Sequence, residues 1–388
     1  MSPKNGGIAS VYVHAPFCVR RCVYCDFAVT VRSTGAVDEW AAALRAELAL
    51  VTADGDPLSD RLDTLYVGGG TPSLLGPTAM RELATVVGEE RLAGADLEWT
   101  AEANPESFGA EVAGAWRDAG LNRISLGVQT FHEPTLRWMG RLHGAEGARR
   151  AVAAAKDAGL DNVSVDLVFG LPAALGRSWS DDLARALALD VPHVSLYGLT
   201  VEPATPLGRA VAEGREPPVD EERYREEFLE AAETLARAGY EHYEVSNFAR
   251  PGSASRHNAV YWDGRPYLGL GNGAHSYVHP VRRWNVRDWN VYRERVTAGQ
   301  RPEEGRERID AAAAALERTW LSLRTRAGIA LGGLSSGARE LVEAWRRTGL
   351  ATVDADRARL TPEGWLVLDR LTVELDAAMG VSHAAAGR

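Results

Sequence analysis

From residue 8 to about 200, short apolar segments rich in β-branched residues alternate with longer Ala-, Leu-, Arg- and Glu-rich segments of helical period. The pattern predicts six strands, at residues 8–14, 62–67, 97–101, 123–128, 162–169 and 193–199. Repeated strand–helix units require right-handed crossovers and a parallel sheet. The predicted fold class is therefore α/β, as a partial (β/α)6 barrel that buries both strand faces, with a doubly wound open sheet as the alternative.

Each predicted strand is followed at once by a polar or glycine-rich group. These groups are a cysteine-containing loop after residue 14, then Gly68–Pro72, Glu102–Pro105, Gln129–Thr130, Gly170–Pro172 and Gly198–Thr200. In α/β barrels the carboxyl ends of the strands form the rim that carries the active site. The sequence therefore predicts that the six loops converge on one pocket.

The regular alternation fades beyond residue 200, where several prolines precede a predicted helix at about 220–238. From about residue 308 the pattern changes to helix, helix, small hairpin and last helix. Gly349 ends the helix predicted at 336–347, and Thr361 and Pro362 begin the last helix as N-cap and first residue. The predicted organisation is a barrel domain at 1–245, a connecting segment at 246–307 and a winged-helix-like C-terminal domain at 308–388.

The three cysteines of the chain, Cys18, Cys22 and Cys25, lie within eight residues in a CxxxCxxC spacing. An odd number of adjacent loop cysteines suits a metal centre better than a disulfide framework. Three thiolates can hold three irons of a [4Fe-4S] cubane and leave the fourth iron open to another ligand. The alternative is a structural zinc site in which His14 supplies the fourth ligand.

Composition narrows the function classes. With 388 residues and 45% apolar content, the chain can bury a large core. Its net charge of −10 argues against broad nucleic-acid binding, which needs a positive face. We find no apolar run long enough to span a membrane and no signal-peptide pattern at the start, so we expect a cytoplasmic protein, where thiols stay reduced.

The cysteine spacing, with Tyr24 before the last cysteine and a Gly-Gly-Gly-Thr-Pro motif after the second strand, resembles the radical S-adenosylmethionine (SAM) superfamily. Val11–Cys18, Leu126–Gln129 and Asp166–Pro172 resemble, more narrowly, the HemN/HemW family. The resemblance implies a radical SAM barrel in which the methionyl end of SAM occupies the open iron. It also implies SAM contacts at Tyr12, Tyr24, Gly69, Gly70, Thr71, Glu102, Gln129, Arg141 and Asp166. Of these, Tyr24 would lie near the adenine.

Two features separate the chain from the oxygen-independent coproporphyrinogen oxidases of that family. Phe27 stands where the oxidase pattern has a fourth cysteine, and His257-Asn258-x-x-Tyr261-Trp262 resembles the HNxxYW signature of its heme-chaperone branch. The resemblance implies a heme contact at His257, and the chemistry is compatible, because a histidine can coordinate heme iron and flat aromatic rings can cover a porphyrin. The same residues also describe a hydrogen-bonded turn over a small aromatic core, and His275 and His279 are competing ligands.

The resemblance implies a heme chaperone that binds a [4Fe-4S] cluster, SAM and heme, and transfers heme to acceptor proteins such as respiratory enzymes. The sequence leaves open whether such a protein is also an enzyme. The alternative is a coproporphyrinogen oxidase that uses a 5′-deoxyadenosyl radical, followed by a radical enzyme with another substrate or one that opens the heme macrocycle. A heme carrier can dock transiently on a membrane-bound recipient or act as a homodimer, although no basic amphipathic helix demands membrane contact.

Overall fold

The computed structural model describes residues 7–380. Residues 1–6 and 381–388, which are the outer ends of the predicted segments 1–245 and 308–388, lie outside the described residues. The strands are, in chain order, β1 (Ser10–Ala15), β2 (Phe17–Cys18), β3 (Thr30–Val31), β4 (Thr64–Gly69), β5 (Glu98–Ala103), β6 (Arg123–Gln129), β7 (Val163–Phe169), β8 (His193–Gly198), β9 (Glu241–Glu244), β10 (Asn247–Ala249), β11 (Leu268–Leu270), β12 (His275–Val278), β13 (Val281–Asn285), β14 (Glu303–Arg308), β15 (Ile329–Ala330), β16 (Ala351–Val353) and β17 (Arg357–Leu360).

The helices surround these strands. They are α1 (Val37–Ala53), α2 (Ala79–Val87), α3 (Glu89–Leu92), α4 (Ala110–Asp118), α5 (Glu133–Met139), α6 (Gly147–Asp157), α7 (Trp179–Ala188), α8 (Pro206–Ala212), α9 (Glu221–Arg237), α10 (Arg256–Trp262), α11 (Trp289–Thr297), α12 (Ala311–Leu323), α13 (Ser336–Arg347), α14 (Pro362–Trp365) and α15 (Leu368–Ala378). Within residues 7–380, we find no helix with both the length and the apolar character that a membrane span requires.

The main sheet has the strand order β11-β1-β4-β5-β6-β7-β8-β10-β9. The six strands predicted from the sequence are neighbours in chain order, and all of them run parallel. This confirms the predicted α/β class with a parallel sheet. The second strand ends two residues later than predicted, because Gly68 and Gly69 continue the register with β1.

The two faces of the parallel strands differ in polarity, because successive side chains point to opposite sides. Val11, Val13 and Leu65 belong to the apolar core, whereas Tyr12 and Tyr66 alternate with them and stack on each other. The inner face also carries Glu102, to which Tyr66 donates a hydrogen bond. The apolar packing therefore lies between strands and helices, and a polar inner face remains available for a site.

The pattern missed the strands contributed by residues 241–308. β11 pairs in parallel with β1, and β12, β13 and β14 form a separate antiparallel sheet. The glycine-rich run at 269–273 suggests a tight loop, but its first two residues belong to the buried strand β11. A Cβ on Gly269 would lie 2.0 Å from the carbonyl oxygen of His275, so this short strand needs glycine to approach the next one.

The C-terminal region contains α12 to α15 around the three-stranded sheet β15-β17-β16. The helix predicted at 336–347 has those bounds, and Gly349 follows it with φ +77°. Thr361 accepts a hydrogen bond from the amide of Gly364, which makes it the N-cap predicted for this position. The helices and hairpin follow in the predicted winged-helix-like order, while the domain limits at 245 and 307 stay predictions.

Candidate functional site

A cavity of about 680 Å³ opens at the carboxyl ends of the parallel strands. It is lined by the loop that carries the cysteines (residues 18–31, the cysteine loop), by residues 68–72 (the glycine loop) and by the ends of the later strands. Twelve of the thirteen predicted site residues line it, namely Tyr12, Cys18, Cys22, Tyr24, Cys25, Gly69, Gly70, Thr71, Glu102, Gln129, Arg141 and Asp166. The thirteenth predicted site residue, His257, does not line the cavity.

The three cysteines are half-buried free thiols. A turn closed by the amide of Cys25 on the carbonyl oxygen of Cys22, at 3.3 Å, brings the last two together. The Thr71 hydroxyl lies 3.4 Å from the Cys18 sulfur, and the amide of Phe27 donates to the Cys25 sulfur at 3.4 Å. Burial raises the pKa of Cys18 to about 11, so a metal is needed to hold this sulfur as a thiolate at neutral pH.

His14 has no ring nitrogen free for a metal. Its Nδ1 lies 3.1 Å from the Tyr12 hydroxyl and its Nε2 lies 3.0 Å from the carbonyl oxygen of Ala28. In the part of the chain that the structure describes, no three His, Cys, Asp or Glu side chains come close enough to share one ion. Because both ring nitrogens of His14 are engaged, the donor set fits a three-cysteine cluster better than a Cys3His zinc site.

The glycine loop is held against the end of β1 by backbone hydrogen bonds. The amides of Gly70 and Thr71 donate to the carbonyl oxygens of Ala15 and Phe17, both at 2.8 Å. Gly69 has φ +111°, and a Cβ there would lie 2.3 Å from the ring of His14. A Cβ on Gly70 would lie 2.8 Å from the carbonyl oxygen of Ala15. Both positions therefore require glycine, because a side chain would collide with His14 or with the backbone at Ala15, and both glycines line the cavity.

Two half-buried acidic side chains stand on the cavity floor. Glu102 accepts hydrogen bonds from the Tyr66 hydroxyl at 2.9 Å and from the amide of Gly69 at 3.0 Å. Asp166 accepts from the Ser125 hydroxyl at 3.0 Å. Burial raises the pKa of Glu102 to about 7 and also raises the pKa of Asp166. Both side chains can accept hydrogen bonds from an amino or hydroxyl group of a bound molecule.

Arg141 and Gln129 line the side of the cavity. Arg141 donates to the side-chain oxygen of Asn104 at 2.8 Å and to the carbonyl oxygen of Gly127. Its buried Nε has no hydrogen-bond partner among the described residues, which leaves a donor for a ligand carboxylate. Gln129 has φ +68° where the β6–β7 register shifts, and such a bulge turns its side chain toward the site.

His257 lies in the core, with 1% of its surface exposed. Its Nδ1 is 2.8 Å from the Thr64 hydroxyl oxygen and its Nε2 is 2.9 Å from that of Tyr261. Burial lowers its pKa to about 3, so the ring is neutral. The competing ligands also lie outside the cavity lining: His275 stacks on Trp284, and His279 bonds to a tyrosine hydroxyl.

The sequence patterns missed residues that support the site from a distant part of the chain. Asn272 donates to the carbonyl oxygen of Ala28 at 3.1 Å, and Arg287 pairs with Asp26 at 3.4 Å. Both bonds hold the cysteine loop, but their partners are about 250 residues apart in sequence. Ser125 could have been identified as a site residue from the sequence. It lies two residues from Gly127, on a predicted strand whose end contributes to the predicted rim.

Comparisons with known proteins agree on the family that this chain is similar to. The sequence profile of the Radical SAM superfamily matches residues 12–187. The chain is 40% identical over 378 residues to the heme chaperone HemW of Mycobacterium tuberculosis, covering 95% of each chain. It is 38% identical over 272 residues to HemW of Escherichia coli, covering 69% of this chain and 70% of the relative.

One solved structure shares the fold along most of the chain. It is the coproporphyrinogen III oxidase HemN of Escherichia coli, described as a radical SAM enzyme. The TM-score is 0.78 at 22% sequence identity, and the match covers 95% of this chain and 89% of that chain. At this identity the likeness concerns the fold.

Proposed function

We propose that this chain, which belongs to the HemW family of the radical SAM superfamily, is a heme chaperone that carries a [4Fe-4S] cluster, binds SAM and passes heme to acceptor proteins such as respiratory enzymes. The observation that carries the proposal is the convergence of three thiols, a glycine-rich loop and two half-buried acidic side chains on one cavity. Cytoplasmic location, homodimerisation and membrane docking remain predictions.

The cluster would be held by Cys18, Cys22 and Cys25. When bound, a cubane with three protein ligands supplies an open iron to which amino and carboxylate groups can bind. The Thr71 hydroxyl and the amide of Phe27 already point at two of the sulfurs, and such outer hydrogen bonds orient metal ligands. The chain would therefore supply both the cluster ligands and hydrogen bonds that orient two of them.

The remaining cavity residues offer groups complementary to the parts of SAM. Glu102 can accept from the amino group, Asp166 from the ribose hydroxyls, and Arg141 can bind the carboxylate. Tyr24 lies beside Cys22 and Arg141, and burial raises its pKa, so it stays neutral and presents a ring for the adenine. The proposed SAM contacts are nine residues that line the cavity: Tyr12, Tyr24, Gly69, Gly70, Thr71, Glu102, Gln129, Arg141 and Asp166.

Heme as the cargo is supported by the relatives' description as heme chaperones. The cavity mouth offers Phe27, 62% exposed, and Val19, 40% exposed, as an apolar surface for a porphyrin face. Arg20 and Arg21 line the same mouth, and guanidinium groups suit heme propionates. The predicted contact at His257 would first require the ring to give up its bonds to Thr64 and Tyr261.

The second candidate function is oxygen-independent coproporphyrinogen oxidation. The observation that favours it is the shared fold with HemN along 95% of this chain. The cavity residues described above would serve SAM in either function. Turnover of the porphyrinogen is therefore the property that separates the two candidates.

The test uses the full chain, reconstituted with iron and sulfide under anaerobic conditions. We expect about one cluster per chain by iron analysis, saturable SAM binding, and stoichiometric heme uptake without conversion of coproporphyrinogen to protoporphyrinogen. Turnover of the porphyrinogen would replace the chaperone proposal with the oxidase. Phe27→Ala should weaken heme uptake, whereas Val373→Ala, which removes an equally exposed apolar side chain on α15, should not.

A further inference from the structure

We propose that His257 and Tyr261 of the HNxxYW segment are positioning residues for the cavity floor, which fix Tyr66 and thereby the carboxylate of Glu102. This inference rests on the proposed function, because it assigns Glu102 to the amino group of SAM. It gives the signature a role in SAM binding and in holding the cysteine loop, in place of heme ligation.

The helix that carries the signature, α10, is fixed at its beginning by a buried carboxylate of the main sheet. Glu98, the first residue of β5, accepts from the amide of His257 at 2.8 Å and from the amide of Arg256 at 2.9 Å. Ser255 caps the same turn by accepting from the amide of Asn258. The helix therefore has a defined position against the start of the parallel strands.

The His257 ring contacts two residues on one face of β4. Its Nδ1 lies 2.8 Å from the hydroxyl oxygen of Thr64, and its ring stacks on Tyr66 with centroids 5.1 Å apart and planes at 26°. Residues 64 and 66 share a face because strand side chains alternate. Tyr261 closes the other side, with its hydroxyl 2.9 Å from Nε2 and its ring perpendicular to the imidazole. The imidazole is thus held on both nitrogens while its face supports Tyr66.

Tyr66 transmits this support to the cavity. Its hydroxyl donates to Oε1 of Glu102 at 2.9 Å, while the other carboxylate oxygen accepts from the amide of Gly69 at 3.0 Å. These two bonds fix the plane of the carboxylate and leave its remaining lone pairs toward the cavity. Without the ring of His257 behind it, Tyr66 would lose the contact that sets its orientation.

The same row of rings continues to the cysteine loop. Tyr66 stacks on Tyr12 with centroids 6.1 Å apart, and the Tyr12 hydroxyl lies 3.1 Å from Nδ1 of His14. The Nε2 of His14 lies 3.0 Å from the carbonyl oxygen of Ala28 in the cysteine loop. A change at His257 can therefore reach the thiols through contiguous contacts, even in metal-free protein.

The last residue of the signature faces elsewhere and provides a matched control. The guanidinium of Arg324 lies 4.2 Å from the centroid of the Trp262 ring and pairs with Glu244 at 3.0 Å. Trp262 does not line the cavity and contacts the C-terminal region instead. The Trp262 ring also meets the edge of the Tyr261 ring, with centroids 6.2 Å apart. Trp262→Phe keeps an aromatic ring beside both Arg324 and Tyr261, so it changes the signature while it preserves these contacts and leaves His257 and Tyr66 untouched.

The experiment measures the SAM dissociation constant and the heme stoichiometry of reconstituted full-length protein. Tyr66→Phe keeps the ring and removes only the bond to Glu102; we expect SAM affinity to fall roughly 10-fold, the scale of one hydrogen bond to a charged group. His257→Ala should weaken SAM binding at least as much and His257→Gln should restore part of it, with heme stoichiometry unchanged in each. Loss of heme uptake in His257→Ala with normal SAM affinity would overturn the inference.

A second measurement separates this inference from the proposed function. In metal-free protein, the rate at which a disulfide reagent modifies the thiols reports how firmly the cysteine loop is held. His257→Ala and Tyr261→Phe should raise this rate several-fold over wild type, and Trp262→Phe should leave it unchanged. If wild-type protein binds no SAM, the proposed function fails while the thiol rates still decide the positioning role. Equal rates in all four proteins would refute that role.

Discussion

Gly69→Ala is expected to disrupt the junction between the glycine loop and the cysteine loop. The new methyl group would lie 2.3 Å from two atoms of the His14 ring, well inside van der Waals contact. The ring cannot move aside freely, because both its nitrogens are bonded, to the Tyr12 hydroxyl and to the carbonyl oxygen of Ala28. The backbone of residue 69, at φ +111°, is also unfavourable for alanine.

The expected loss of folding stability has two sources, the backbone strain and the displacement of His14. A non-glycine residue at this φ is strained by about 1–3 kcal/mol. Displacing His14 adds about 0.5–1.5 kcal/mol for each of the two hydrogen bonds that it loses. The free energy of unfolding should therefore fall by roughly 2–6 kcal/mol if both terms apply, and by the strain alone if the ring moves without losing its bonds.

The assay is urea denaturation of the metal-free protein, followed by iron analysis after reconstitution. The matched control is Gly120→Ala, because Gly120 has φ +105° and a Cβ there meets only the Trp99 ring at 3.6 Å, an ordinary contact. The difference between the two variants isolates the collision with His14. If Gly69→Ala costs no more than Gly120→Ala, or keeps a full complement of iron, the argument that this glycine is required by His14 is wrong.

Three further predictions address the thiols, a buried acid and a buried base. Cys22→Ser should abolish cluster absorption while the urea midpoint of metal-free protein stays near wild type, because this half-buried residue lies on a loop. Burial raises the pKa of Glu47 from 4.5 to about 7, so the folded state holds this proton more tightly than the unfolded state does. The unfolding free energy of wild type should therefore fall as pH rises between these two values. Compared with Glu47→Gln, the fall should be about 3 kcal/mol in pH-dependent denaturation. Arg177→Met leaves buried Asp182 without its cation and Glu227 with Arg223 alone, and should cost about 3–5 kcal/mol. Arg185→Met at an exposed ion pair should cost under about 1 kcal/mol, and equal costs in the same denaturation assay would contradict the difference in burial.

The parallel strands were predictable because each one is a short apolar segment, rich in β-branched residues, that is followed by glycine or polar residues. The strand at 123–129 illustrates this, since its apolar positions and its terminal Gln129 are all visible in the sequence. The C-terminal helix at 336–347 was also predictable from a local pattern, with Gly349 placed to end it. The rim of the site followed, because parallel strands place their carboxyl ends together.

The short strands between residues 241 and 308 were not predictable from local pattern. β11 has only three residues, and its identity depends on pairing with β1, about 257 residues earlier. Asn272 and Arg287 support the cysteine loop only because this pairing brings their segment beside it. No spacing rule can indicate such partners in a single sequence.

His257 shows a different limit. Its residue type and neighbours fit both a heme contact and a core hydrogen-bonding group, and the sequence pattern contains nothing that decides between them. The choice depends on whether Thr64, a residue of another strand, stands within hydrogen-bonding distance of the ring. That information exists only in three dimensions.

The pairing of β11 with β1 has a consequence for biosynthesis. A nascent chain that has emerged only as far as residue 250 contains the six parallel strands, but β1 is still an unprotected sheet edge. The bonds from Asn272 and Arg287 to the cysteine loop are also missing at that stage. Ribosomal synthesis must therefore pass residue 287 before both of these bonds to the cysteine loop can form.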